Sequence, residues 1–536
     1  MRLVRRSRVR HRVLPQPPVA QVRVGALRGG RFSRLLRCAC RRLPGRGELG
    51  RGRDDRSARR IAAPGAAACA RGRKIAGGVP HRRSAEEPRA ASRASAACRA
   101  ALQPRPGART VARIIDVRGR RVWDSRGRPT VEAEVVLKGA RGRAIAPAGA
   151  STGSFEARDL RDGGTSLGGL DVRKAVHNVN TLIRSALLGV DARSQEAVDR
   201  KLIDLDGTSN KSRLGGNAIV AVSLACAQAS AAAARRPLWR HLAGDKKIAL
   251  PVPQVQIYGG GAHARGRVDV QDYLVVCTGA GSFTESLEWV AEVYYAAGAR
   301  LAKKNALHGV ADEGGYWPAF KSNEEGLAEL TAAITDAGFE PGAEVAIALD
   351  VAATQLYRGG RYHLALENRS LTSDQMHALL LRWLETYPIV SIEDPFAETD
   401  DAAMQAFTRA AGKRVQIVGD DFFATDVDRL RAGVAHEACN AVLLKPNQIG
   451  TLTETLACLQ AAREAGYRAI VSARSGESED VSIAHLAIGW GVPQLKVGSF
   501  SRSERMAKWN ECLRIEEALG RNALPYPARR LFKGRS

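Results

Sequence analysis

Ile389-Val390-Ser391-Ile392 runs straight into Glu393 and Asp394, Val415-Gln416-Ile417-Val418-Gly419 into Asp420 and Asp421, and Ala441-Val442-Leu443-Leu444 into Lys445. Each is a short apolar run stopped by a charged residue, as expected of a strand buried on both faces with a polar end. The pattern recurs upstream, where residues 344–349 end at Asp350. It recurs downstream, where residues 469–472 lead to Arg474 and Ser475, and Gln494-Leu495 leads to Lys496. From Glu393 onward these ends fall about every 25 residues, with a helical pattern between each pair, which is the period of a strand–helix unit repeated around a parallel barrel. Such barrels carry their active site at the carboxyl ends of the strands. A strand cap or a turn explains one such residue. Six in succession, acids first and cations after, point to a site.

Ahead of this region the rhythm differs. Alternating segments at residues 114–117 and 130–137 flank a turn at Asp124-Ser125-Arg126-Gly127-Arg128-Pro129, which predicts an antiparallel ribbon. Helical patterns follow at residues 175–188, 195–204 and 217–234. The fold class is therefore α/β. A leader over residues 1–110 precedes a small α+β capping domain over 111–250 and an α/β barrel catalytic domain over 251–536.

The formal charge of +27 suggests a nucleic-acid binder until it is divided along the chain. Residues 1–110 hold 29 Arg and Lys against 5 Asp and Glu, a net of +24, which leaves +3 for residues 111–536. Nucleic acid is thus expected only through the leader. With one aromatic residue, Phe32, the leader has too little apolar surface to offset its chain entropy, which predicts disorder. A basic arm and a transit peptide compete here with upstream sequence translated from a start placed too early. The last reading is adopted. No Met lies between Met1 and Met376, so it requires a non-Met start, for which Val111 is the natural position. Nine cysteines without a C-x-x-C pair predict reduced, buried thiols in a cytosolic protein rather than a disulfide framework or a zinc site. The nearest approach to a membrane span, residues 218–234, is rich in Ala and Ser and reads as a closely packed core helix.

Asp350, Glu393 and Asp420 should converge at the barrel mouth, where three carboxylates repel one another unless a cation lies between them. Hard oxygen donors suit Mg²⁺, and the lack of a His at these three strand ends argues against zinc. Lys445 should enter the same mouth. A divalent ion and Lys496 would push it toward its neutral form, a usable base; a plain salt bridge to one of the acids is the rival reading. Arg474, Ser475 and Lys496 form an arc suited to a carboxylate or phosphate. Two loops of small residues frame the mouth. Ala148-Gly149-Ala150-Ser151-Thr152-Gly153 lacks the Gly-Lys-Ser/Thr ending of a P-loop and reads as a lid that brings Ser151 to a metal or substrate. Gly259-Gly260-Gly261-Ala262-His263 reads as a second lid, with His263 carried on three glycines.

These residues resemble the enolase family over about residues 111–520. The resemblance rests on Asp124-Ser125-Arg126-Gly127 with Pro129-Thr130-Val131-Glu132, on Gly149-Ala150-Ser151-Thr152-Gly153 and on Asp312-Glu313-Gly314-Gly315. It continues through Ser391-Ile392-Glu393-Asp394-Pro395, Leu443-Leu444-Lys445-Pro446-Asn447-Gln448-Ile449-Gly450, Arg474-Ser475-Gly476-Glu477 and Arg514-Ile515-Glu516-Glu517. It implies an enolase-type barrel and a carbon–oxygen lyase that dehydrates 2-phosphoglycerate to phosphoenolpyruvate in glycolysis. It implies that Asp350, Glu393 and Asp420 hold a first Mg²⁺ and that Ser151 helps to hold a second. Lys445 would remove the α-proton and Glu313 would protonate the departing hydroxide. Gln271, His263, Asp272, Arg474, Ser475 and Lys496 would bind substrate. A cytoplasmic homodimer is implied, with cell-surface presence also compatible.

The sequence departs from the family pattern at Ala473, where the family has His before Arg-Ser, and at Asp272, where it has Glu. The second lid lacks the family's Asn, and Arg128 replaces an Asn. Two alternatives follow: a paralogue acting on a related phosphoryl or phosphonyl acid, and a catalytically weak enolase fold used as a binding protein. In a true enolase, Arg265 or Arg267 on the second lid is expected to supply the cation that Ala473 lacks.

Overall fold

The computed structural model describes residues 112–532, so the expected disorder of residues 1–110 and the expected start at Val111 lie outside the described residues. The described chain opens with a three-stranded antiparallel sheet of β1 (Ile114–Trp123), β2 (Pro129–Leu137) and β3 (Ala140–Ile145). The expected ribbon thus has a third strand. Its first turn is closed by Asp124 Oδ1, which accepts from Arg126 N at 2.8 Å and Arg128 N at 2.9 Å. The helix Gly216–Ala233 lies across β2 and β3 and buries β2 almost completely. Its small side chains permit close approach: a Cβ on Gly142 of β3 would run into the helix backbone at Ala225, Gln228 and Ala229. By length and composition this helix could cross a membrane, yet most of it is buried in the domain core. The helix expected over 175–188 is divided, with a π turn at Val179–Ile183 between Arg173–Asn178 and Arg184–Leu187.

The second half closes a barrel. Its strands are β4 (Val252–Gly259), β5 (Asp272–Val276), β8 (Ala346–Asp350), β12 (Ile389–Glu393), β13 (Gln416–Gly419), β14 (Ala441–Leu444), β15 (Arg468–Ser472) and β16 (Gln494–Ser499). They pair in that order, and β16 returns to β4. Two excursions interrupt the chain between barrel strands. A hairpin of β6 (Leu307–Val310) and β7 (Tyr316–Pro318) leans on β4. A small sheet of β9 (Tyr357–Arg358), β10 (Arg361–Leu364) and β11 (Arg369–Leu371) follows β8.

The all-parallel barrel expected from the repeat is not what forms: β5 runs antiparallel to both β4 and β8. The link from β4 to β5 contains only the short turn Gly261–Ala264, so the chain folds back without the helical crossover that a parallel pair uses. Several barrel helices start at side-chain caps. Ser282, Ser322, Thr372, Asp400, Asp426 and Thr451 each accept from backbone N–H groups of the following turn. Below the mouth, Gln494 Oε1 accepts from Gln254 at 2.9 Å and from Gln416 at 3.2 Å, and Gln416 donates to Ser391 Oγ at 3.0 Å. Strands β13 and β16 are not neighbours, so this amide layer spans the barrel interior and forms a hydrogen-bonded floor beneath the site.

Candidate active site

Strand register assembles the acids. Asp272 on β5 pairs with Asp350 on β8, and Asp350 pairs with Glu393 on β12. Lys496 on β16 reaches all three: its Nζ lies 2.8 Å from Asp350 Oδ2, 2.8 Å from Glu393 Oε2 and 3.4 Å from Asp272 Oδ2. Lys445, at the N-terminus of the short helix Pro446–Ile449, pairs with Asp420 Oδ2. Asp420 also accepts from Gln448 Nε2 at 2.8 Å. All these groups are buried.

Burial pushes the Glu393 carboxyl well above the usual carboxylate range, and the charge on Asp350 adds to it. Burial alone would discharge the lysines. At Lys445 it is outweighed by Asp420, and at Lys496 by Asp350 and Glu393, so both ammonium groups are held above their ordinary value. The salt bridge to Asp420 is the arrangement the structure holds, and the neutral Lys445 expected beside a divalent ion belongs to the metal-loaded site. Behind Asp420, Asp394 accepts from the backbone N–H of Asp420 at 2.9 Å and of Asp421 at 2.8 Å. Burial, reinforced by Asp420, pushes Asp421 up to about 8.

The donor set fits a hard divalent cation. Glu393 Oε1 is buried without a hydrogen-bond partner, and such an acceptor among carboxylates suits a metal ligand. Among the described residues, two groups bring their ligand atoms within 4.8 Å of one another: Asp394, Asp420 and Asp421, and His263, Asp272 and Glu313. The expected set of Asp350, Glu393 and Asp420 is not one of these groups. Lys496 engages the first two and Lys445 the third.

The first lid is fastened by side chains. Arg474 donates from Nη1 to Glu156 Oε2 at 2.9 Å, and from Nη2 to Glu156 Oε1 at 3.0 Å and to the Ser151 carbonyl at 2.9 Å. Ser151 therefore meets the site through its carbonyl. Gly149 is required here, because a Cβ would collide with the Arg474 guanidinium. Farther along, Ser154 Oγ donates to Glu398 at 2.6 Å, and the Arg429 guanidinium lies 3.5 Å from the Phe155 ring centroid.

The second lid enters through His263. Its Nδ1 is 2.9 Å from Asp272 Oδ1, and its Nε2 is 3.0 Å from Ser475 Oγ and 3.6 Å from Glu313 Oε1. The chain Asp272–His263–Ser475 has the connectivity of a nucleophilic triad. Burial opposes charge on the imidazole, but Asp272 and Glu313 outweigh it and raise its pKa. A ring biased toward its charged form is a poor acceptor of the Ser475 proton, which argues against an activated serine. Glu313 sits in the turn between β6 and β7, beside β16. Gly498, at φ +118°, admits it: a Cβ there would lie 3.0 Å from the Glu313 carbonyl oxygen. Gln271 donates to Asp350 Oδ2 at 3.0 Å and accepts from Gln355 at 2.9 Å.

The arginines expected to compensate for Ala473 point elsewhere. Arg267 Nε donates to the Pro318 carbonyl at 3.0 Å, and Arg265 lines a separate cavity. Ala473 is buried, and its N–H donates to the Lys496 carbonyl at 2.8 Å. Glu156 and Gln355 went unread in the sequence, and Gln448 stood in a family motif without a role. Asp394 and Asp421 were visible as the second acid of each strand end, but nothing in their order told a metal-facing acid from one that braces the backbone.

Comparison with known proteins agrees with this geometry. Residues 114–242 match the enolase N-terminal domain and residues 247–533 the enolase C-terminal TIM barrel domain. The chain is 49% identical over 424 residues to Enolase 1 of Desulfitobacterium hafniense (strain Y51), an alignment that covers 78% of this chain and 97% of that one. With both domains matched in order and the relative spanned almost end to end, the chain belongs to the enolase family and is a carbon–oxygen lyase of the phosphopyruvate hydratase type.

Proposed function

We propose that the chain interconverts 2-phosphoglycerate and phosphoenolpyruvate, with two Mg²⁺ ions, as a step of glycolysis. The observation that carries this reading is the opposed pair of proton-handling groups at one mouth. Lys445 lies on the Asp420 side, and Glu313 lies beside His263 and β16. Abstraction of an α-proton from a carboxylate puts a second charge on that group. Bound Mg²⁺ would supply positive charge for that dianion. Asp350, Glu393 and Asp420 would hold the metal, with Asp394 bracing the Asp420 backbone. If Asp420 turned from the ammonium to the metal, Lys445 would release its extra proton to solvent and, as the neutral amine, take the α-proton. Glu313 delivers a proton to the leaving hydroxyl. Arg474 and Ser475 receive the phosphate, with Arg474 oriented by Glu156 and Ser475 by His263. A lysine base beside Mg²⁺ is the known pattern of this superfamily, so the pairing is consistent with the site rather than deduced from it.

The test is steady-state formation of phosphoenolpyruvate from 2-phosphoglycerate. Turnover should vanish in excess chelator and return with Mg²⁺. A second reading, a paralogue for a related phosphoryl or phosphonyl acid, is favoured by Ala473 and Asp272. Under it the wild type is poor with 2-phosphoglycerate. We also propose a cytoplasmic homodimer; a monomer in sedimentation would remove that part.

A further inference from the structure

Arg265 does not reach the phosphate arc; it lines a cavity of about 330 Å³ on the far side of the second lid. One wall is the lid, through Gly261 and Arg265. The other is the small sheet of β9 to β11 and the turn before it, through Gln355, Arg358 and His363. The only acid in the lining, Asp269, is already committed. Its Oδ1 accepts from Ala365 N at 2.8 Å, and its Oδ2 from Asn323 Nδ2 at 2.8 Å and Leu366 N at 3.2 Å. Arg265 and Arg358 form no ion pair among the described residues, so the lining sets two guanidinium side chains against one carboxylate, an excess of positive charge. The imidazole of His363 stands beside them, its Nε2 3.2 Å from the Arg358 carbonyl. The cavity is also wired to the active site. Gln355 donates to Gln271 at 2.9 Å, and Gln271 donates to Asp350 at 3.0 Å.

We propose that this cavity is a second anion site, which takes the phosphate group of a small phosphorylated ligand and fastens the second lid to the β9–β11 sheet. A phosphate held by both arginines bridges the lid, through Arg265, to the sheet, through Arg358. The lid that carries His263 is then held toward Asp272 and Ser475. The proposal is independent of which acid the catalytic site dehydrates.

Calorimetric titration of the full chain with inorganic phosphate tests it. Two classes of site are expected, one at the catalytic arc and one here. The double variant Arg265→Ala, Arg358→Ala should lose about tenfold or more in affinity at one class and keep the other, as expected for removed charge-assisted hydrogen bonds. Both side chains are exposed, so thermal melting should not change. Phosphate should also slow proteolytic cleavage within residues 259–267 of the wild type, and this protection should disappear in the double variant. A single class of phosphate site, indifferent to both substitutions, would overturn the proposal. So would lid protection that survives them.

Discussion

The two walls of the barrel mouth carry opposite charge and satisfy it differently. Strands β8, β12 and β13 end in or just before Asp350, Glu393 and Asp420, and the antiparallel β5 begins at Asp272, whereas β14, β15 and β16 present Lys445, Arg474 and Lys496. Two of the three cations are spent across the mouth, on Asp420 and on the Asp350–Glu393 pair. The third, Arg474, turns to the first lid and Glu156. The acid wall is left in excess: Asp394 and Asp421 stand behind Asp420, and Glu393 keeps one oxygen without a hydrogen bond. One wall is therefore completed by the chain itself, and the other calls for a cation from outside. Substitutions on the two walls should fail in different ways.

The largest effect should come from the acid wall. Asp350→Asn, Glu393→Gln and Asp420→Asn should each abolish turnover, and excess chelator should do the same to the wild type. The folded state should survive each change, because removing one charge from a crowded set of carboxylates also relieves repulsion. Circular dichroism melts beside the assay check both halves. Full activity in chelator would remove the metal reading. On the cation wall, Lys445→Met should cost roughly 10²–10⁴-fold in turnover, the range for loss of a general base. Exchange of the substrate α-hydrogen with solvent should fall with it. Exchange that persists at the wild-type rate would assign the base elsewhere.

How much of this contrast was legible in the sequence depends on the range of the interaction. Asp350, Glu393, Asp420 and Lys445 could be read because each stands at the end of a buried strand, whereas Lys496, expected at such an end, lies inside β16; strand register then decides that Asp272, Asp350 and Glu393 are neighbours. The direction of β5 was not legible, since an apolar strand reads alike in either sense. Nor was the protonation of Lys445, which depends on a contact with Asp420, 25 residues earlier. Glu156 meets Arg474 across 318 residues, and no local pattern marks such a pair. The arginines of the second lid misled for the converse reason. They lie close in sequence to His263, but Arg265 adopts a left-handed backbone at φ +54° and Arg267 turns to Pro318.

A middle-sized effect should separate the arginine that belongs to the lid from the lysines that belong to the acids. Glu156→Gln keeps the shape of the side chain but removes the charge that holds the Arg474 fork. Loss of a buried charge-assisted pair corresponds to about tenfold to hundredfold in an equilibrium. The change should appear as a raised KM with a smaller fall in kcat, because Glu156 touches Arg474 and not the reacting carbon. In an Arg474→Lys background the same substitution should add little, since the fork it orients is gone. Additive losses in the double variant would make Glu156 merely structural.

The smallest effect is expected at Ala473. Without a histidine there, the arc was expected to borrow Arg265 or Arg267, yet neither arginine approaches Ser475. What does approach is His263, whose Nε2 lies 3.0 Å from Ser475 Oγ, while Ala150 N donates to the same oxygen at 3.1 Å. The arc thus already contains one imidazole, held by Asp272 on its other face, which favours its charged form. Removing that ring, by His263→Ala, should raise KM about tenfold to hundredfold, the cost of a charge-assisted hydrogen bond. Adding a second ring, by Ala473→His, should shift KM by no more than about threefold if charge-assisted contacts to the phosphate are already saturated. It should lower the melting temperature, because enlarging a buried side chain costs about 1–3 kcal/mol. Arg267→Ala should leave KM unchanged. If Ala473→His instead improves catalysis of 2-phosphoglycerate by more than about tenfold, equivalent to 1.4 kcal/mol, the phosphate arc is incomplete for this substrate and the paralogue reading takes precedence.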